Sequence, residues 1–340
     1  GPCIVIGGGI AGAAAAASLA RRGWQVTVLD QAPEPAAGAS ALPAGVFAPH
    51  VSPDDSVLSR LSRSGIRTTL EQARWLLNEG VDWAHCGVLE HRTDGTPGLS
   101  PDWTQGPGAA WSEPASPATL AIAQLPPDAT ACWHHQAGWV RPARLARVLL
   151  GQPGIQWQGN CAVAQLRRVE APAATWQALD AQGQVLAEAP TVIIAAGAGS
   201  LALLNHRWPL QPVRGQVSLG IHADAATPLR PLIPFPANGN GNLVPRFPLG
   251  DQADGDQGWV MGSTFERDVQ ALPPSATDIH SAHTTNWAKL QGLLPGIAPQ
   301  LEPLFAQALT APALQPAAGE PSALHTWAAV RCTAPDRLPI

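Results

Sequence analysis

Within its first dozen residues the chain passes from an apolar stretch, Ile4-Val5-Ile6, straight into Gly7-Gly8-Gly9-Ile10-Ala11-Gly12. An Ala-rich segment follows, then a second apolar run from Trp24 to Leu29 that ends on Asp30. Strand, glycine turn, helix, strand and acid in that order make a dinucleotide-binding β-α-β unit, which a glycine triplet alone would not. Gly7 permits the tight turn, Gly9 lets the backbone approach a pyrophosphate, and Gly12 allows helix and strand to pack closely. The helix opening at Ile10 and Ala11 points unpaired N–H groups and its positive dipole end at the phosphates. Asp30, 18 positions after Gly12, is placed to accept hydrogen bonds from an adenosine ribose. The same carboxylate would repel a 2′-phosphate, which disfavours NADP. An ordinary βα turn is the competing reading.

Bulk properties narrow the partners. The 340 residues suffice for two structural domains and a large core. A net charge of −5 provides no general basic field for nucleic acid. Lys289 is the only lysine, so anion recognition falls to Arg or to backbone N–H groups. Thirteen Trp and no Tyr leave no phenol as acid or base, and stacking falls to Trp and Phe. Five scattered cysteines, never spaced C-x-x-C, point to reduced thiols and a cytoplasmic setting rather than a disulfide framework. No stretch approaches the roughly 20 apolar residues of a membrane span. The first strand begins within three residues of Gly1 and the chain stops at Leu338-Pro339-Ile340, which reads as a piece of something longer.

Along the chain, Pro and Gly mark a loop over 31–53, and Asp54 or Asp55 can cap a helix over 56–78. Residues 81–136 read as irregular and belong to a second domain. Pro142 opens a helix to Leu150. Short strands are expected over 156–158, 162–166, 176–179 and 185–188. Thr191–Ala196 is a fully apolar strand ending in a second glycine turn, Gly197-Ala198-Gly199. Strand alternation returns at 216–219, 242–245 and 259–263, a helix at 274–294 and a last strand at 327–331. The expected fold is α/β: a Rossmann-like FAD/NAD(P)-binding domain of the glutathione-reductase type, over 1–80, 137–212 and 325–340. A β-rich substrate domain over 81–136 and 213–324 is interleaved with it.

Further blocks fall in order after the opening unit: Gly38-Ala39-Ser40 with Ala44-Gly45-Val46-Phe47-Ala48-Pro49-His50, then Ser52-Pro53-Asp54-Asp55 and Gly138-Trp139-Val140. Val213-Arg214-Gly215-Gln216, Leu243-Val244-Pro245, Met261-Gly262-Ser263-Thr264 and Val330-Arg331-Cys332 through Asp336-Arg337-Leu338-Pro339 complete the series. On these residues the chain resembles the D-amino-acid-oxidase/glycine-oxidase family of FAD proteins. Within that family it is most similar to the oxidoreductase domains of bifunctional tRNA wobble-uridine modification enzymes. The resemblance implies FAD as cofactor, with Gly38, Ala39, Ser40, Ala44 and Gly45 along the isoalloxazine and pyrophosphate. It also implies backbone at Cys161–Val163 beside the adenine, and Ala196 and Gly197 near the phosphates. Arg331 stands where the family places the arginine that binds a substrate carboxylate, a task its planar fork suits.

The chemistry so implied is hydride transfer from a carbon next to an amine, followed by hydrolysis of the imine. The substrate implied is the carboxymethylaminomethyl group of a tRNA wobble uridine, with a methyltransferase domain or partner acting next. A small amino acid such as glycine or sarcosine is the alternative, and an idle FAD-fold remnant a second. Ala41-Leu42 replaces the Gly-Asn usual in the loop, Asn242 replaces an aromatic hydroxyl, and the closing segment of the family fold would lie beyond Ile340. Arg214 and Arg246 read as structural or rim residues, and His50 and Cys332 as ordinary loop and strand residues. Cys132, His134 and His135 match no closed zinc spacing, so no metal is expected. Arg60, Arg63 and Arg67 read as a solvated helix face rather than a tRNA contact.

Overall fold

In the computed structural model, which describes residues 1–170, 174–222, 232–310 and 323–334, the opening strand Pro2–Ile6 lies inside a four-stranded parallel sheet. Gln25–Leu29 flanks it on one side and Thr191–Ile194 on the other, with Ile155–Gln158 outermost. Ile6 pairs with both Leu29 and Ile194, so three strands end level and release their chains side by side. Val5, Val28 and Leu29 are wholly buried, as expected of parallel strands covered on both faces. Seven of the eleven residues of the helix Ile10–Ala20 are Ala, so Ala13, Ala16 and Ala17 pack closely with Val5 and Val28, and with Leu145, Ala146 and Leu149 from the helix Pro142–Leu150.

A mixed sheet of nine strands among the described residues forms the second body of structure. Its spine is the eleven-residue strand Gln211–Ile221, paired with Gln257–Gly262 and, over nine residues, with the last strand His325–Thr333. Gly241–Pro248 continues the order beyond Gln257–Gly262. Side chains alternate as the pleat requires. Leu243, Trp259 and Met261 point to one face, under the helices Ala276–Leu293 and Glu302–Thr310, with Leu290, Leu293 and Phe305. Val217, Val244 and Val260 point to the other face and meet Ala44 and Trp139.

Most expected elements are present, with shifts that have local causes. The helix expected over 56–78 runs Val57–Leu76, and its cap is Ser56, not Asp54 or Asp55. Ser56 Oγ accepts from Ser59 N–H, which frees Asp55 to pair with Arg63 at 2.7 Å. The strand expected over 162–166 is displaced to Gln165–Val169, because the N–H of Cys161 first bonds back to Asp30 O. The loop over 31–53 conceals a three-residue strand, Gly45–Phe47, paired with Gly138–Val140. Residues 81–136 contain Val88–His91, Ser112–Pro114 and Ala131–His134, which extend the large sheet. The motif Asp336–Pro339 lies outside the described residues.

A polar seam runs where the helix Ala276–Leu293 crosses the spine strand. His283 Nδ1 shares a 2.8 Å hydrogen bond with Ser218 Oγ, and Asn286 Nδ2 donates to Gln216 O and Ser218 Oγ. Burial, assisted by the charge of His280, pulls the His283 pKa from 6.5 to about 4. Between those values the unfolded chain takes up a proton that the folded chain refuses, so stability falls as pH drops through that window. The loss approaches about 3 kcal/mol at its lower edge. Urea titrations of wild type and His283→Gln at pH 7 and 4.5 should show the variant losing clearly less stability on acidification. Equal losses would remove His283 from the account. Gly65 is exposed in the middle of the helix Val57–Leu76, and a Cβ there would project into open space. Gly65→Ala should therefore stabilise the chain by about 1 kcal/mol in the same assay.

Candidate cofactor and substrate site

The glycine turn is built by three close backbone approaches. A Cβ on Gly12 would stand 1.9 Å from Gly7 O, and one on Gly7, at φ +108°, would stand 2.3 Å from Ala195 O. A Cβ on Gly8 would enter the ring of Trp157 at 2.3 Å. The turn is then tied to the second strand by Asp30. Its Oδ2 accepts from Gly8 N–H at 2.6 Å and its Oδ1 from Ala32 N–H at 2.8 Å. Each carboxylate oxygen keeps a further lone pair, so the acid can organise the turn and still accept from a ligand hydroxyl.

Ser40 comes to the same place from the second loop. Its Oγ accepts from Ile10 N–H at 2.9 Å and lies 3.1 Å from where a Cβ on Gly9 would be. The helix has no acidic residue in its first turn, and among the described residues nothing accepts from the N–H groups of Ala11 and Gly12. Those donors, the dipole end and the demand for glycine form a cradle that fits a dinucleotide diphosphate. Ala196 and Val163 pack together with Ile6 and Leu29 at the carboxyl ends of the parallel strands, where the strand order switches direction. Gly197 begins the turn Gly197–Gly199, and Gly38 precedes the turn Ala39–Ala41. The strand His325–Thr333 touches both turns, which brings Arg331 into the same neighbourhood.

A cavity of about 210 Å³ opens between the loop and the large sheet. Ala39, Leu42, Ala44, Gly45 and Val46 form its loop wall. Its sheet wall follows the pleat: Trp327, Ala329 and Arg331 alternate along the last strand, with Gly215 and Val217 opposite them on the spine. Among the described residues Asn242, Ser263 and Arg331 are the polar side chains of the lining, which holds no acid or His. The guanidinium carbon of Arg331 lies 4.5 Å from the centre of the Phe265 ring, a cation–π contact that holds it without neutralising it. Among the described residues Arg331 has no carboxylate partner. Phe265, Ser263 and Trp157 were not singled out as site residues from the sequence. Ser263 had a signal, since it sits within a motif block, whereas Trp157 and Phe265 reach the site only through tertiary packing.

The other candidates lie elsewhere. Arg214 is buried on Glu266, at 2.7 Å from Nε, and on Asp278, with a further bond to Ala271 O, so its role is structural. Arg63 is buried against Asp55 and Trp103, and Arg67 lies over Trp111. Cys132 and His134 gather with Glu90 rather than with His135. His134 Nε2 meets Glu90 Oε2 at 2.9 Å and Cys132 Sγ at 3.7 Å, while Nδ1 meets Ser112 Oγ at 2.7 Å. Burial alone would raise the Glu90 pKa, but His134 and Arg92 outweigh it and hold the carboxyl below its ordinary value. Burial pushes the Cys132 thiol up to about 12. With both ring nitrogens and the carboxylate already bonded, the group is a satisfied hydrogen-bond network.

Comparison with known proteins accords with this geometry. The family model for FAD dependent oxidoreductases, DAO, matches residues 3–340. Over 346 residues the chain is 66% identical to the tRNA 5-methylaminomethyl-2-thiouridine biosynthesis bifunctional protein MnmC of Verminephrobacter eiseniae, covering 100% of this chain and 55% of that protein. It is 56% identical to the protein of the same name from Delftia acidovorans, covering 99% and 52%. The chain thus spans about half the length of these relatives. Among solved structures, glycine oxidase from Geobacillus kaustophilus superposes with a TM-score of 0.69 at 18% identity, over 99% of this chain and 84% of that one. FAD-bound L-alpha-glycerophosphate oxidase from Mycoplasma pneumoniae gives 0.68 at 14%, over 98% and 83%. Both share the fold. The chain belongs to the DAO family of FAD-dependent oxidoreductases.

The glycine turn makes a direct prediction. Gly12→Ala forces backbone apart at Gly7, so the purified variant should lack the flavin absorbance near 450 nm and bind added FAD at least about tenfold more weakly. Flavin content equal to wild type would show that the close approach is dispensable.

Proposed function

We propose that this member of the family oxidises the C–N bond of an N-carboxymethyl amine, and that its substrate is the carboxymethylaminomethyl group of a wobble uridine in tRNA. The observation that carries the reading is the Arg331 guanidinium, without a carboxylate partner among the described residues, in a cavity that it shares with the Ala39–Val46 loop. FAD would be held at its diphosphate by Gly7, Gly9, Ile10, Ala11 and Gly12, at the ribose by Asp30, and at the adenine by backbone near Val163. Gly38, Ala39, Ser40, Ala44, Gly45, Ala196 and Gly197 would follow the ring and phosphates. When bound, FAD supplies a two-electron acceptor.

The carbon between amine and carboxylate loses a hydride while the nitrogen lone pair forms the C=N bond. Water then adds to that carbon, and cleavage leaves an aminomethyl uridine and glyoxylate. The chain contributes orientation: Arg331 fixes the carboxylate by a bidentate pair, which points the reacting C–H in one direction. Leu42, Val46, Val217, Val244 and Val260 keep water from the carbon during the transfer. Among the described residues the lining offers no acid or His to take a proton, which suits an amine that arrives neutral. Relatives at 66% and 56% identity bear a name that refers to the biosynthesis of 5-methylaminomethyl-2-thiouridine in tRNA, and they are described as bifunctional and are about twice as long. A methyltransferase acting on the liberated amine is the partner that this chemistry calls for.

A free glycine or sarcosine is the second reading, favoured by a cavity of about 210 Å³ that would take a whole amino acid but only the side arm of a nucleotide. Mass spectrometry of the wobble uridine before and after incubation with the FAD-loaded chain separates the two. Loss of the carboxymethylaminomethyl mass, with appearance of the aminomethyl mass and glyoxylate, is the expected outcome. An unchanged nucleoside alongside oxidised glycine would favour the second reading. Arg331→Met should lower kcat/KM by about 10²-fold or more, as expected for a lost charged bidentate partner.

A further inference from the structure

We propose that Lys289, the only lysine of the chain, is a second cation of the substrate-carboxylate site, standing immediately behind the cavity wall and acting together with Arg331. It rests on the reading above, that Arg331 anchors a carboxylate. Lys289 belongs to the helix Ala276–Leu293, on the covered side of the large sheet. Its ammonium nevertheless comes to the cavity wall from behind. Nζ donates to Ser263 O at 2.6 Å, and Ser263 lines the cavity.

The route is made by glycine. The Lys289 stem passes Gly241, where a Cβ would meet its Cδ at 3.3 Å and the chain holds φ at +95°. Asn242, the next residue, lines the cavity. An ammonium has three donors, and the carbonyl of Ser263 occupies one. Among the described residues no carboxylate lies within ion-pair distance of Lys289 or Arg331. Burial first, and then the charge of Arg331, hold the Lys289 pKa below its ordinary value. The two cations repel each other, and with no counter-ion among the described residues that repulsion is uncompensated. That arrangement has a use if an anion completes it on binding, since a field focused in a low-dielectric pocket draws the charge in. An ammonium is a compact charge with three donors, so one can hold the Ser263 carbonyl while the charge still acts on a small anion nearby.

The test uses the FAD-loaded chain and two ligands of one shape. Methoxyacetate presents a carboxylate beside an ether oxygen in place of the amine, and methoxyacetamide is its neutral counterpart. Binding is read by isothermal titration and by the visible flavin spectrum. Lys289→Met should weaken methoxyacetate about tenfold and leave methoxyacetamide within about twofold, and Lys289→Arg should restore the anion to within about threefold. Loss of both ligands in Lys289→Met would mean that the lysine only props the Ser263 backbone, and would overturn the inference. Unchanged methoxyacetate binding in Lys289→Met, while Arg331→Met loses it, would also overturn the inference and leave the Arg331 reading standing. Unchanged binding in Arg331→Met would overturn both.

Discussion

The tightest constraint in the molecule is the contact of backbone with backbone at the glycine turn. Gly12 lies against Gly7 O and Gly7 against Ala195 O, each at a separation no side chain could share. Three strand ends therefore finish level, and the helix starts with its free N–H groups directed into the crevice between them. Asp30 fixes this arrangement by accepting from Gly8 N–H, so one carboxylate links the first turn to the end of the second strand. Ser40 then hangs the second loop on the helix N-terminus through Ile10 N–H. Remove the close packing and both the diphosphate cradle and the anchor of the cavity's loop wall go with it.

From that anchor the loop runs over the large sheet, whose pleat decides what faces it. Along the last strand, 327, 329 and 331 share one face, and their partners on the spine are Val217, Gly215 and Val213. Small residues at 215 and 329 leave the space, and Trp327 and Arg331 close its ends. A one-residue slip of that strand would turn Arg331 to the other side of the sheet, toward the helices. Nine consecutive register pairs with the spine oppose such a slip. The position of one guanidinium thus depends on a long antiparallel ladder rather than on a local turn.

Legibility in the sequence followed the range of the interactions. The β-α-β unit, the helices at Val57–Leu76 and Pro142–Leu150 and the apolar strand at Thr191–Ile194 are fixed by local periodicity and punctuation, and they could be read directly. The strand Gly45–Phe47 could not, because three residues between Pro-rich loops carry no alternation and are strands only through pairing with Gly138–Val140. Asp55 reads as a helix cap on position alone, yet the buried Arg63 claims it, a tertiary ion pair prevailing over a local preference. Arg331 was legible through motif position. Phe265, which holds its guanidinium, meets it only in three dimensions, and so does Lys289 meet Ser263 of the cavity wall, from a helix on the opposite face of the sheet.

The composition of the cavity limits the chemistry that the chain can promote. General acid–base catalysis needs a titratable group within hydrogen-bond reach of the proton it moves. Among the described residues Leu, Val, Ala, Gly and Trp make up most of the wall, with one amide, one hydroxyl and one guanidinium that stays protonated. Such a wall offers an anion one cation in a largely apolar surround, and among the described residues it holds no side chain that takes a proton at neutral pH. A reaction that begins with proton abstraction by a side chain is therefore poorly served here. Hydride removal from a carbon beside a neutral amine is well served, because the electron pair on nitrogen provides the push and the protein need only hold the molecule still. Cations near the bound amine favour its neutral form, since a like charge disfavours protonation. In the proposed reaction the charge that would seat the carboxylate would also favour the neutral nitrogen, and a chain without a single tyrosine could then dispense with a base.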